Sequence, residues 1–180
     1  LESGHDKYIV VIYYSQKNRE VMHMSSKFFG GVHPNDKKAP ANKSAVAPIT
    51  PPPQVVIPMS LHIGAPCQPT VQVGDMVKLG QKIGDTDAFL HVPVHASVSG
   101  KVTGIETQRN AMGGMDTLVV IESDGQQTMD PEIKPPVVTN HKEFVEAVKE
   151  SGLVGLGGAS FPTWLKFNPK DMNSVKTLII

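Results

Sequence analysis

Two stretches decide the fold: Val73-Gly74-Asp75-Met76-Val77-Lys78-Leu79-Gly80-Gln81-Lys82-Ile83-Gly84 and, further on, Val94-His95-Ala96-Ser97-Val98-Ser99-Gly100-Lys101-Val102. In and just before the first, Val71, Val73, Val77, Leu79 and Ile83 share one parity; in and just before the second, Val92, Val94, Ala96, Val98 and Val102 do. Side chains of one parity line one face of an extended chain, and the glycines at 74, 80 and 100 mark turns between short strands. Another strand is expected over residues 117–121, before the turn at Asp124-Gly125. Two similar halves of this kind predict a small β-sandwich.

Composition agrees with that reading. The 180 residues include 16 glycines and 15 prolines, which favours short strands and loops over long helices. Lysine plus arginine and aspartate plus glutamate each number 17, so the formal net charge is zero. Neither sign dominates the long-range field, which excludes a broad affinity for nucleic acid or anionic lipid. One cysteine, Cys67, excludes an internal disulfide framework and any four-thiolate zinc or iron–sulfur site built from this chain alone. No apolar run approaches the ~18–20 residues of a membrane-spanning helix.

Outward from the sandwich, residues 59–129, the chain divides by composition. Residues 1–27 read as a leader or added segment, with Met24 as the native start, although YIVVIYY at 8–14 has the make-up of an N-terminal strand. Residues 28–58 read as a strap: Gly30-Gly31, Pro34, Asn35 and Asp36 are turn chemistry, and the Ala/Pro-rich stretch to Pro58 is held extended by Pro51 to Pro53. Residues 130–180 read as the start of an α/β domain. Asn140 with Glu143 is a capping-box signal, Phe144, Val145 and Val148 fall on one helical face, and Gly152 closes the helix. A second helix is expected to start at Phe161-Pro162-Thr163 and a strand over residues 175–180. That apolar run has no turn after it, so the chain is read as a fragment.

The chemistry is sought first in the run from Gly152 to Thr163, which holds Gly155, Leu156, Gly157, Gly158, Ala159 and Ser160. Successive glycines can take positive φ and turn their amides onto an anion, and a helix starting near Phe161 would add its positive end. The run is not a Walker A loop, and Ser160 stands where the dinucleotide fingerprint needs glycine. By spacing alone it reads equally as a phosphate cradle or a glycine-rich turn. His91 and His95 share a face, but four residues of strand set them ~13 Å apart, too far for one metal ion. His33 and His62 have no cysteine or carboxylate at ligand spacing. All four are read as surface or hydrogen-bonding histidines. No catalytic triad or carboxylate pair is present, so no catalytic residue is named.

The sandwich stretch resembles the biotinyl/lipoyl-type barrel-sandwich hybrid. In carrier members of that fold a hairpin lysine takes the cofactor; its place falls on or near Phe89, which cannot form the amide, so the module is read as structural or docking.

Four blocks together carry a wider resemblance: Phe29-Gly30-Gly31-Val32-His33-Pro34; Val56-Ile57-Pro58-Met59-Ser60-Leu61-His62-Ile63-Gly64-Ala65-Pro66; Pro93-Val94-His95-Ala96-Ser97-Val98-Ser99-Gly100; and Gly157-Gly158-Ala159-Ser160-Phe161-Pro162-Thr163. In this order they resemble RnfC, a component of the Rnf electron-transport complex, which is an ion-translocating ferredoxin–NAD oxidoreductase, from residue 28 to the end. The glycine loop is also similar to that of the flavin-binding NADH-dehydrogenase subunit of respiratory complex I. The resemblance implies an oxidoreductase subunit with FMN as cofactor and NADH as substrate, in an α/β flavin-binding domain that follows the barrel. It implies that Gly155, Gly157 and Gly158 line the flavin, that Lys166 helps hold it, and that Phe161 packs against the adenine of the dinucleotide. Leu156 and Ser160 depart from complex I, which has arginine and commonly glycine there. It further implies two 4Fe-4S clusters on cysteine motifs beyond Ile180 and none in these residues, with weak or no FMN binding by the piece alone. The partners implied are the other subunits of the Rnf membrane complex and, indirectly, ferredoxin, with a peripheral place on the cytoplasmic face of the bacterial plasma membrane. Two alternatives share parts of the pattern. One is a cobalamin reductase of propanediol-utilising microcompartments, against which Phe28-x-Gly30-Gly31-x-His33-Pro34 weighs. The other is a non-catalytic barrel-sandwich adaptor.

Overall fold

The alternating valines and their glycine turns produce seven short strands among the described residues, which in this computed structural model are 37–111 and 113–177. The expected strand at 8–14 and the block from Phe29 to Pro34 lie outside them. One unit covers residues 49–170. It begins with β1 (Gln54–Pro58), β2 (Gln68–Pro69), β3 (Met76–Val77), β4 (Lys82–Asp85), β5 (Val94–His95), β6 (Gly100–Arg109) and β7 (Met115–Ser123). All pairings between them are antiparallel: one sheet has the order β1-β7-β6-β3, the other β2-β4-β5.

The two sheets enclose one core. Ile57, Val77, Val102, Val119 and Ile121 from the first meet Ile83 and Val94 from the second, with Met59, Cys67, Val71, Ala96 and Val98 filling in from the connections. Truncating a fully buried member such as Ile83 or Ile121 to alanine costs about 2–5 kcal/mol in such cores. On β7 the four residues from Leu118 to Ile121 are all buried, so both faces of this central strand are covered. Gly100 has φ +156, and a β-carbon there would stand 1.9 Å from Glu122 O. Glycine is what lets β6 start this close to β7.

Three sequence expectations are revised. Gln54–Pro58, read as the end of the proline-rich strap, is β1 and pairs with β7 from Gln54↔Glu122 to Pro58↔Leu118; the prolines set up extended backbone, and β7 supplies the partner. Val71 and Val73 lie in a turn and not in a strand, with Gln72 N donating to Asp75 Oδ2 at 2.8 Å, yet Val71 still points into the core. No strand is present over residues 175–177, and 178–180 lie outside the described residues.

The helical part of this unit packs on the sandwich. Helix α1 (His141–Glu150) starts as its capping signal predicts: Asn140 Oδ1 accepts from Glu143 N at 3.0 Å. The return bond is displaced by one residue, since Glu143 Oε2 accepts from Thr139 N and Thr139 Oγ1, each at 2.7 Å. Helix α2 (Thr163–Lys166) is a single turn that follows Pro162. Val145 of α1 and Trp164 of α2 close a second apolar cluster with Val92 of the barrel, flanked by Val148, Val154, Leu165 and Phe167.

The other unit contributes residues 37–48 and 171–177 to the described chain. Its first segment holds a turn in which Ala41 N and Asn42 N both donate to Lys38 O. Its second holds a 3-10 turn (Met172–Ser174) capped by Asp171, whose Oδ1 accepts from Asn173 N at 2.9 Å.

Candidate cofactor-binding site

The glycine run begins where α1 ends. Ser151 N donates to Ala147 O and Gly152 N to Lys149 O, and Gly152 takes φ +71, the left-handed cap that favours glycine. A β-carbon on Gly152 would also stand 2.8 Å from Pro93 O and 2.9 Å from His95 Nδ1, so the chain leaves the helix pressed against the barrel. It then doubles back: Thr163 N donates to Leu153 O at 3.0 Å and Gly155 N to Phe161 O at 2.9 Å. The result is a narrow stem with residues 156–160 at its tip.

Those two bonds exhaust the internal pairing of the loop. The amides of Leu156, Gly157, Gly158, Ala159, Ser160 and Phe161 donate to no described residue. A β-carbon on Gly157 or Gly158 would meet nothing within 4 Å. Nothing within the described chain therefore requires glycine for space at either position. Positive φ does not require it either: the left-handed residue of the tip is Ser160, at φ +50. The expectation that the glycines turn their amides by adopting positive φ is corrected accordingly. What their bareness leaves is access to the backbone for something outside the loop. Leu156 is 98% exposed.

The remaining residues of the expected site lie on the stem. Lys166 Nζ is 3.0 Å from where a Gly155 β-carbon would be, so the ammonium lies along the loop backbone. Phe161 is exposed, at 39%, at the foot of the tip. The stem thus brings Gly155, Phe161 and Lys166 together, while Gly157 and Gly158 stand out at the tip. The expected positive helix end is absent, because four residues of α2 sum too few peptide dipoles to act as one. Among the described residues one backbone hydrogen bond ties the tip to the barrel side, from Ile63 N to Ala159 O at 3.2 Å. A depression of about 290 Å³ lies to the side of the loop, lined by His141, Val145, Lys149, Trp164 and Asn168 among others. It includes none of the five expected site residues.

Beneath the loop lies a polar cluster that spacing did not reveal. Lys82 Nζ is 2.9 Å from Asp85 Oδ2 and 2.6 Å from Glu150 Oε2 at the end of α1. Burial works against the charge of Lys82, but its bonds to Glu150 and Asp85 outweigh that and raise its pKa. Burial likewise opposes the Asp85 carboxylate, and the bond from Lys82 reverses the balance and holds it below the ordinary range. His95 is lowered by burial and by the nearby Lys82 charge. His91 is buried, with Nδ1 against Ala88 O and Nε2 3.3 Å from Asp85 Oδ1. His62 is buried too; its Nε2 accepts from Val92 N at 3.4 Å and lies 3.8 Å from Cys67 Sγ. His62 and His91 are hydrogen-bonding histidines, yet interior ones, whereas His95 is partly buried; the fold brings Asp85 beside His91 and Cys67 beside His62 although sequence spacing did not suggest either. No group of three or more metal-ligating side chains forms among the described residues. Phe89, at or near the expected place of the carrier lysine, is 77% exposed and meets Trp164 edge-on at 5.7 Å.

Comparison with known proteins places this geometry. The family model described as the RnfC barrel sandwich hybrid domain matches residues 26–126, more than half of the chain. The chain belongs to the RnfC family. The barrel of RnfC is thus the two-sheet sandwich described above, and its expected fold is met there. The C subunit of the Na(+)-translocating ferredoxin:NAD(+) oxidoreductase complex of Acetobacterium woodii is 48% identical over 143 residues, covering 77% of this chain and 32% of that protein. Its counterpart in the proton-translocating ferredoxin:NAD(+) oxidoreductase complex of Clostridium ljungdahlii is 42% identical over 164 residues, covering 87% and 35%. The counterpart in the ion-translocating oxidoreductase complex of Klebsiella pneumoniae is 33% identical over 162 residues, covering 85% and 21%. This RnfC chain therefore spans between about a fifth and about a third of the length of these curated relatives. Among the described residues no helix is long and apolar enough to cross a membrane.

Proposed function

We propose that this RnfC chain is the N-terminal part of a flavoprotein subunit that exchanges electrons between NAD(H) and iron–sulfur clusters within an ion-translocating ferredoxin:NAD oxidoreductase. The observation that carries the reading is the loop tip, where six consecutive amides, Leu156 to Phe161, have no partner among the described residues and Gly157 and Gly158 face open space. Bare amides in a row are acceptor-seeking groups, and a phosphate ester supplies the acceptors. The residues present therefore fit FMN. Gly157 and Gly158 would let the phosphate reach the backbone, Gly155 would keep the stem narrow, and Lys166, lying along that stem, would balance the phosphate charge. Phe161 would offer its exposed ring to the adenine of NADH. When bound, FMN supplies a two-electron exchange with NADH and can release those electrons singly. The protein contributes position, charge balance and exclusion of water.

With one cysteine in the chain, the two 4Fe-4S clusters of this reading would be held by cysteine motifs in the C-terminal part of the full-length subunit, after the α/β flavin-binding domain. The subunit would dock peripherally on membrane partners at the cytoplasmic face and reach ferredoxin through them. The names of the relatives support this assignment over a cobalamin reductase.

The test is the visible spectrum of the purified full-length subunit. A flavin band that bleaches on anaerobic addition of NADH, and that is lost in a Gly157→Val variant with unchanged circular dichroism, is the expected outcome. A full-length subunit that is colourless and takes up no added FMN overturns the reading. The 180-residue piece alone is expected to bind FMN weakly or not at all, because only one side of the cradle is built from it.

A further inference from the structure

The two stems of the glycine loop are tied to the same strip of barrel by one unbroken polar chain. On the leading side, Glu150 closes α1 two residues before Gly152, and its Oε2 meets Lys82 Nζ at 2.6 Å across 68 positions of sequence. Lys82 meets Asp85 Oδ2 at 2.9 Å, and Asp85 Oδ1 stands 3.3 Å from His91 Nε2. On the trailing side, Trp164 Nε1 donates to His91 O at 2.9 Å across 73 positions. Glu150, Lys82, Asp85, His91 and Trp164 therefore form a circuit that leaves the loop at one stem and re-enters it at the other. Gly152 is wedged against Pro93 O and His95 Nδ1 inside that circuit.

The apolar cluster of Val92, Val145 and Trp164 holds the helices on the barrel, but hydrophobic contact is non-directional and leaves α1 free to slide or rotate slightly. The Lys82–Glu150 bond is directional. Its side chains are about one-third to one-half exposed, so its contribution to global stability is small. Lys82 is one cation set between two carboxylates on different elements, and removing it leaves Asp85 and Glu150 facing each other with like charge.

We propose that Lys82 is a positioning residue for the glycine loop: through Glu150 and Asp85 it sets the angle at which α1 delivers Gly152, and with it the placement of the amides from Leu156 to Phe161. This rests on the reading above that the loop takes a phosphate-bearing cofactor. It gives the barrel a role in cofactor binding in addition to docking.

The experiment uses the full-length subunit as Lys82→Met, Lys82→Arg and Glu150→Gln, with hydrogen exchange measured by mass spectrometry in the absence of added FMN, followed by FMN titration. The informative amides are those of Gly152, Gly155 and Thr163, which carry the cap and stem hydrogen bonds. In Lys82→Met and Glu150→Gln these amides are expected to exchange about threefold to fivefold faster, the factor set by a partly exposed ion pair, while the strands β6 and β7 keep their protection. FMN is expected to bind more weakly by a similar factor, and Lys82→Arg to restore both. Unchanged stem exchange in both Lys82→Met and Glu150→Gln overturns the proposal, as does a loss of protection spread evenly over the barrel. Should Lys82→Met fail to fold, Glu150→Gln weakens the same link from the other side by removing its negative charge. A wild-type subunit that binds no FMN, but whose stem still responds to Lys82→Met, supports the positioning role and overturns the flavin reading. A flavin-binding subunit indifferent to both substitutions does the reverse.

Discussion

The thiol of Cys67 donates to the carbonyl oxygen of Val92, 3.2 Å away and 25 positions later in the chain. The bond joins the connection between β1 and β2 to the residue that begins the second apolar cluster, so one side chain touches both cores. Burial and the nearby Asp85 charge push this thiol up to about 11, with Lys82 pulling the other way. At pH 8 roughly one thiol in a thousand is then ionised, and the sulfur is also sheltered. Iodoacetamide should leave the Cys67 peptide unmodified in the native protein and label it fully once the chain is denatured. Native labelling at the rate of a free thiol would contradict the burial.

Trp164 is the only tryptophan, and its indole N–H is the partner of His91 O in a buried pair. Trp164→Phe keeps most of the ring but leaves that carbonyl unpaired, at a cost of about 1–3 kcal/mol. Trp164→Ala also opens a cavity and should cost about 3–5 kcal/mol. Chemical denaturation of the two variants followed by far-ultraviolet circular dichroism should show this order; equal losses would mean that the hydrogen bond contributes nothing.

Two glycines of the same run should respond in opposite ways. Gly152→Ala forces a left-handed conformation on a residue with a β-carbon and drives that carbon onto Pro93 O; a loss of about 1–3 kcal/mol is expected. Gly157→Ala meets open space and should change stability by no more than about 0.5 kcal/mol, while weakening FMN binding in the full-length subunit. Thermal melts beside flavin titrations separate the two. A destabilised Gly157→Ala variant would show that the loop tip is packed in the native protein.

Acid should weaken the unit in two steps. His95 and Asp85 both hold protons less tightly folded than unfolded, so the unfolded chain binds more protons and stability falls as pH falls. The His95 contribution is present above the ordinary imidazole value of about 6.5 and is lost below it; that of Asp85 is lost below about 4. The denaturation midpoint should therefore decline between about pH 7 and 5, and His95→Gln should flatten that part of the curve. An unchanged slope in the variant would assign the decline to another group.

Much of the fold was legible from residues 73–102 because period and turn chemistry act within a few positions: valines that keep one parity within each stretch, interrupted by Gly74, Gly80 and Gly100, leave a sandwich as the way to bury one face of each strand, although Val73 itself falls in a turn and is exposed. The start of α1 was equally legible from Asn140 and Glu143, since a cap is a contact between near neighbours. The candidate loop was visible as composition but not as conformation: the left-handed residue of its tip is Ser160 and not a flanking glycine.

By itself, then, the sequence determined the alternation that builds the barrel, the cap that starts α1, the place of the glycine run and the family signature carried by four short blocks. Only the tertiary structure decided that Gln54–Pro58 is a strand, because strand identity belongs to a pair and β7 lies about sixty positions away. It also decided that Cys67 sits beside His62, and that Lys82 reaches Glu150 and Trp164 reaches His91. Such contacts arise where separately formed surfaces meet, and no local spacing encodes which surfaces those are.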